Sequence, residues 1–88
     1  MCRNIRVLHN FEPPTTPEEM RAAATQYVRK VSGLNKPPQA DEAIFAAAID
    51  AVTVATTTLL ASLSSRGTVR TREGERAKAQ RRWQMRRM

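Results

Sequence analysis

Between Met20 and Val31 the apolar positions fall at Met20, Ala23, Ala24, Tyr27, Val28 and Val31, three or four residues apart. That spacing lays one stripe along a helix and predicts a half-buried helix over 16–33. Its ends are signalled as well. Thr16 suits the N-cap, Pro17 the first helical position, and Glu19 completes a capping box. Arg29 and Lys30 sit where the helix dipole is negative, and Gly33 provides a left-handed stop.

After the linker NKPPQ the pattern changes. From about residue 39 to 64 the apolar set is Ile44, Phe45, Ala48, Ile49, Val52, Ala55, Leu59, Leu60 and Leu63, which covers more than one side of a helix. A helix apolar on several sides has to be covered on several sides. The first helix covers one, and the N-terminal arm, the tail or a second subunit must cover another. Asp50 interrupts this segment, and an Asp at a bilayer centre costs about 2.5–3.5 kcal/mol. The segment therefore reads as a buried soluble helix with no membrane role. Asp50 itself is placed to pair with Arg21 or Arg29 of the first helix.

The opening NIRVLHNF alternates loosely, with Ile5, Val7 and Phe11 on one side and Leu8 out of step. It predicts an extended arm over 1–15 that lays apolar side chains on the body, held out of helix by Pro13 and Pro14. Gly67 is expected to end the second helix. Past it, Thr71 can cap a third helix with few apolar positions, docked loosely or ordered by a partner. The fold expected is all-α: an antiparallel two-helix hairpin, an N-terminal extended arm and a basic C-terminal third helix or tail.

Composition sharpens this. Aromatic residues make up 5% of the 88, so the core must be built from Ala, Val, Ile, Leu and Met. A chain this short buries only about 60–65% of its unfolded surface, so a homodimer is an expected source of further stability. Residues 1–65 carry six basic and six acidic side chains, whereas residues 66–88 carry nine basic and two acidic. The +7 net charge thus belongs entirely to the C-terminal segment. The chain divides into a neutral body over 1–65 and a basic segment over 66–88. One cysteine excludes an internal disulfide framework, and no charged-then-apolar leader opens the chain, so the expected location is cytoplasmic.

The strings MCRNIRVLHNFEPPTTPEE and AAATQYVRKVSG, the KP linker and the ATTTLLASL helix end resemble a family of small bacterial proteins grouped as domain of unknown function 2277. The resemblance spans most of residues 1–65 and thins in the charged tail. It implies a soluble bacterial protein and carries no mechanism with it.

Candidate chemistry lies at the two ends. Arg70, Arg72, Arg76, Lys78, Arg81, Arg82, Arg86 and Arg87 form an Arg-dominated segment around Trp83. Guanidinium forks suit phosphates, and an indole can stack on an unpaired base. The leading expectation is a small non-enzymatic binding protein whose segment engages RNA or DNA. The alternative is a thiol- or metal-dependent protein. Cys2, exposed as an N-terminal amine and thiol once Met1 is removed, could join His9 in holding zinc or another divalent metal. Zinc sites take three or four protein ligands, so that set would need Glu12, Asp50 or a second subunit. Otherwise Cys2 is a small hydrophobe against the body, and no cofactor is called for. A third reading is a scaffold subunit docking through the second helix. No glycine-rich phosphate loop or catalytic triad spacing is present, and the sequence argues against an enzyme.

Overall fold

A computed structural model describes residues 3–64 and 67–87, with the backbone alone at Arg87. Three helices follow in order: α1, Pro17–Ser32; α2, Glu42–Ser62, entered through a single 3-10 turn at Gln39–Asp41; and α3, Arg72–Arg87. α1 packs against α2 as a helical hairpin, and no strand forms among the described residues.

α1 begins and ends as its sequence predicts. The Thr16 hydroxyl accepts from the Glu19 backbone N–H, and the Glu19 carboxylate accepts from the Thr16 N–H at 2.9 Å. Gly33 closes the helix at φ +74°, its N–H donating to the Arg29 carbonyl. α2 is built differently. Asp41 makes no side-chain cap, so the 3-10 turn, closed by Asp41 N–H to the Pro38 carbonyl, starts the helix. Its threonines fit because their hydroxyls bond back one turn, Thr53 to Ile49, Thr56 to Val52 and Thr57 to Thr53. α2 stops at Ser62, two residues short of the expected 64, with Leu63 already extended at ψ 141°, so Gly67 is not what ends it. Gly67, at φ +77°, instead turns the connection toward α3.

The core is Ala24, Val28 and Ile49, with Phe45 and Val52 packed against it. Ala24 is 2% exposed, and that small side chain lets the two helix backbones come close. The Arg21 guanidinium meets the Asp50 carboxylate at 2.7 Å across the hairpin, as the sequence allows.

The arm corrects its expected pattern. Leu8 and Phe11, three residues apart, are the buried pair, while Ile5 and Val7 are exposed. The arm bends at 3–6 and again at 9–10, where Asn10 at φ +62° lies in the left-handed region that Asn tolerates better than most residues, so the straight backbone that alternation needs is absent. Leu8 and Phe11 line one hollow with Met20 of α1 and Thr57, Leu60 and Ala61 of α2. The arm therefore faces the C-terminal half of α2 across that hollow, leaving Thr57 and Ala61 exposed and Leu60 half-buried. The rest of α2 is open: Ile49 is its one buried residue, and Ile44, Val54 and Leu59 are exposed. This departs from the expectation of a helix covered on several sides. By length and composition, Gln39–Ser62 is able to cross a membrane.

Candidate nucleic-acid interface

The basic segment is a helix, and its attachment decides which of its cations face outward. Before α3 the chain runs beside the arm. Arg70 N–H donates to the Asn10 carbonyl at 2.8 Å and Glu12 N–H to the Arg70 carbonyl at 2.9 Å, a single parallel bridge between Phe11 and Arg70. The Arg70 guanidinium donates to the His9 carbonyl at 2.8 Å. Asn10 also donates to the Thr68 carbonyl. These contacts cross the boundary at residue 65 that the charge balance draws.

Arg72 completes the attachment. Its Nη2 donates to Glu19 Oε1 at 2.7 Å and its Nε to Glu19 Oε2 at 3.1 Å, the paired geometry that a planar guanidinium favours. The same side chain donates to the Pro13 carbonyl at 2.8 Å and the Pro14 carbonyl at 3.1 Å, and it lies over the Phe11 ring at 5.4 Å. Arg6 adds a contact to Glu19 at 3.3 Å. Glu19 thus closes the α1 capping box and gathers two guanidinium groups. Its carboxyl is held down to about 2 from an ordinary 4.5, chiefly by the Arg72 hydrogen bond, then by the Thr16 N–H and Arg6, with burial opposing.

Thr71 caps α3 as expected, its hydroxyl accepting from the Gly74 N–H at 2.9 Å. The backbone of α3 does not pack along α1 or α2 among the described residues. Seven basic side chains lie in this helix against two acidic ones, Glu73 and Glu75. At 3.6 residues per turn, Lys78, Arg82 and Arg86 form one row, and Arg76, Trp83 and Arg87 lie beside it, with Arg81 on the far side. Lys78 pairs with Glu75 at 3.2 Å in an exposed ion pair worth little. Arg76, Arg81, Arg82 and Arg86 are exposed, and Trp83 is 52% exposed among them.

Of the sequence-selected residues, then, Arg70 and Arg72 face inward, and Arg76, Lys78, Arg81, Arg82, Trp83 and Arg86 share an outer helix. Arg87 belongs to the helix by its backbone. Cys2 lies outside the described residues. His9 is half-buried at the arm, with its carbonyl engaged by Arg70. Among the described residues no group of three His, Asp or Glu side chains could hold a metal. What charge counting missed is Glu19, which takes one of the cations out of the outward set. Its place in a capping box was the visible signal, since that fixes where its carboxylate points. A further open groove on α1, flanked by Arg21, Arg29 and Lys30 with Glu18, also escaped the sequence reading.

The sequence model of the uncharacterized conserved proteins DUF2277 matches residues 1–78. The chain belongs to that family. The DUF2277 match runs beyond the neutral body through Arg70, Arg72, Arg76 and Lys78, so the arm, Glu19 and both anchoring arginines fall inside it. Arg81, Arg82, Trp83, Arg86 and Arg87 follow its end. Neither a curated protein nor a solved structure matches the chain.

Proposed function

We propose that this DUF2277 protein is a small non-enzymatic binding module whose α3 engages the phosphate backbone of RNA or DNA. The observation that carries the reading is one exposed helix that presents Arg76, Lys78, Arg81, Arg82 and Arg86 together with Trp83. Guanidinium groups pair with phosphate oxygens in two-point geometry, and the indole offers a stacking surface to an unpaired base. The body contributes position: Arg70 and Arg72 hold the start of α3 to the arm and to Glu19, so the cationic helix leaves the hairpin from a fixed point. Recognition of this kind reads backbone charge and has little sequence preference.

Binding to a fluorescent single-stranded RNA and to a DNA duplex, followed across salt concentration, tests it. Four phosphate contacts give a log–log slope of about −3 to −4. Changing Arg81, Arg82 and Arg86 together to Gln leaves the anchor intact and should flatten that slope by about two to three. Trp83→Ala should weaken the single strand more than the duplex. Unchanged affinity and slope in the triple variant at low salt would sink the proposal.

A further inference from the structure

The side of α2 turned away from α1 carries a regular seam. Ile44, Ala47, Ala51, Val54 and Thr58 recur at alternating steps of three and four residues, with Ala48 and Ala55 beside them, and every one is exposed. Ile44 is 73% exposed and Val54 65%. This three-four alternation is the spacing by which one helix packs lengthwise against another, and the alanines allow a close approach. No charged side chain lies in the stripe. Its edge carries the Arg21–Asp50 ion pair, a polar rim beside an apolar centre.

The whole chain is under-buried in the same sense. It exposes 7015 Å². A compact monomer of its 9.9 kDa mass would expose about 5,200 Å². The projecting α3 accounts for part of the difference and the open face of α2 for part. The excess is about 1,800 Å², and a face holding somewhat under half of it reaches the roughly 800 Å² that each partner contributes to a standard interface.

We infer that this face binds a second copy of the chain, with the two α2 helices antiparallel about a two-fold axis at Ala51. The stripe is self-complementary about that residue. Ile44 meets Thr58, Ala47 meets Ala55, Ala48 meets Val54, and Ala51 meets Ala51 of the other copy, the isologous pairing that two-fold symmetry requires. Parallel pairing would set Asp41 and Glu42 of both copies side by side, and like charges there repel; antiparallel pairing separates them by the length of the helix, about 31 Å. An uncharged stripe offers no pattern by which a different charged chain would be selected, whereas it complements itself. The α1 face, the arm and α3 lie off the seam, so each copy keeps its own basic helix.

Sedimentation equilibrium of the full chain, with Ala51→Glu and Val54→Lys beside it, tests the inference. The wild type should sediment at twice 9.9 kDa. Both variants change exposed positions, so each should sediment as a single chain with its helical circular dichroism retained. In a Cys2→Ser background, Ala51→Cys should be joined to its partner by a short bis-maleimide, and Glu18→Cys, on α1, should not. A wild type that stays monomeric up to millimolar concentration overturns the inference. So does a dimer that survives both folded variants, or one that Ala51→Cys fails to cross-link. A monomer that floats with phosphatidylcholine vesicles overturns it in favour of a lipid surface.

Discussion

Glu19 and Arg72 stand 53 positions apart in the chain and meet through two hydrogen bonds, at 2.7 and 3.1 Å. The contact fastens the start of α3 to the first turn of α1. Since the same guanidinium covers Phe11 and takes the Pro13 and Pro14 carbonyls, one side chain ties three segments that have no shared backbone ladder beyond a single bridge.

Removing that side chain should free α3 while sparing the hairpin. Arg72→Ala should raise the rate of tryptic cleavage within 76–87 several-fold and leave the exchange of α1 and α2 amides near wild type. Arg72→Lys keeps a charge beside Glu19 and loses the planar fork, so it should fall between the two. Equal cleavage rates in all three proteins would mean the anchor does not order the helix.

The Glu19 contact also predicts how stability depends on pH. A carboxyl whose value falls on folding binds fewer protons in the folded state, so its contribution is complete above about 4.5 and is lost as pH falls toward about 2. Thermal melts should show wild type losing stability through that window. The Glu19→Gln variant should be less stable at neutral pH, and its deficit should shrink steadily on acidification. A constant deficit from pH 7 to pH 2 would assign the effect to something other than the ionised carboxylate.

Phe11 is 8% exposed in a core with few large side chains. Phe11→Ala should cost about 3–5 kcal/mol, a large part of what a domain this size possesses. Phe11→Leu keeps most of the volume and should cost less than about 2 kcal/mol. Urea denaturation separates them; equal midpoints would show that the arm does not stabilise the body.

Two glycines should respond differently to alanine. At Gly33 a Cβ meets nothing within 4 Å, so Gly33→Ala reports the φ +74° strain and should cost about 1 kcal/mol. At Gly74, inside α3, alanine is the better helix former by about 0.8–1.0 kcal/mol, yet its Cβ would sit 2.9 Å from the Thr71 hydroxyl that caps the helix. Gly74→Ala should therefore gain little. In a Thr71→Gly background the same change should raise α3 helicity by circular dichroism.

How legible these features were depended on how local their causes are. α1 was readable to the residue because Thr16, Pro17, Glu19 and Gly33 act within one turn of themselves. The start of α3 at Thr71 and the Arg21–Asp50 pair were readable for related reasons, a capping hydroxyl and two helices joined by a short linker. The end of α2 was read two residues long, at 64 against Ser62, because Gly67 is a strong stop signal while no residue marks the end at Leu63. The arm was misread because a period of two presumes a straight strand, and this segment bends at 3–6 and again at 9–10. In the basic segment, adding up charge treated every arginine alike. Arg70 and Arg72 differ from the rest through carbonyls and a carboxylate supplied by residues 9–19, a distance over which composition is blind.

The parallel bridge between Phe11 and Arg70 has a consequence in time. Arg70 lies 61 residues after His9, whose carbonyl it binds. At about 5–20 residues per second of synthesis, the arm waits roughly 3–12 s after its own emergence for the segment that completes it. During that interval Leu8 and Phe11 can rest on α1 but lack their closing hydrogen bonds. The newborn chain is thus a hairpin with a loose leading end, sealed late by the same residues that set the cationic helix in place.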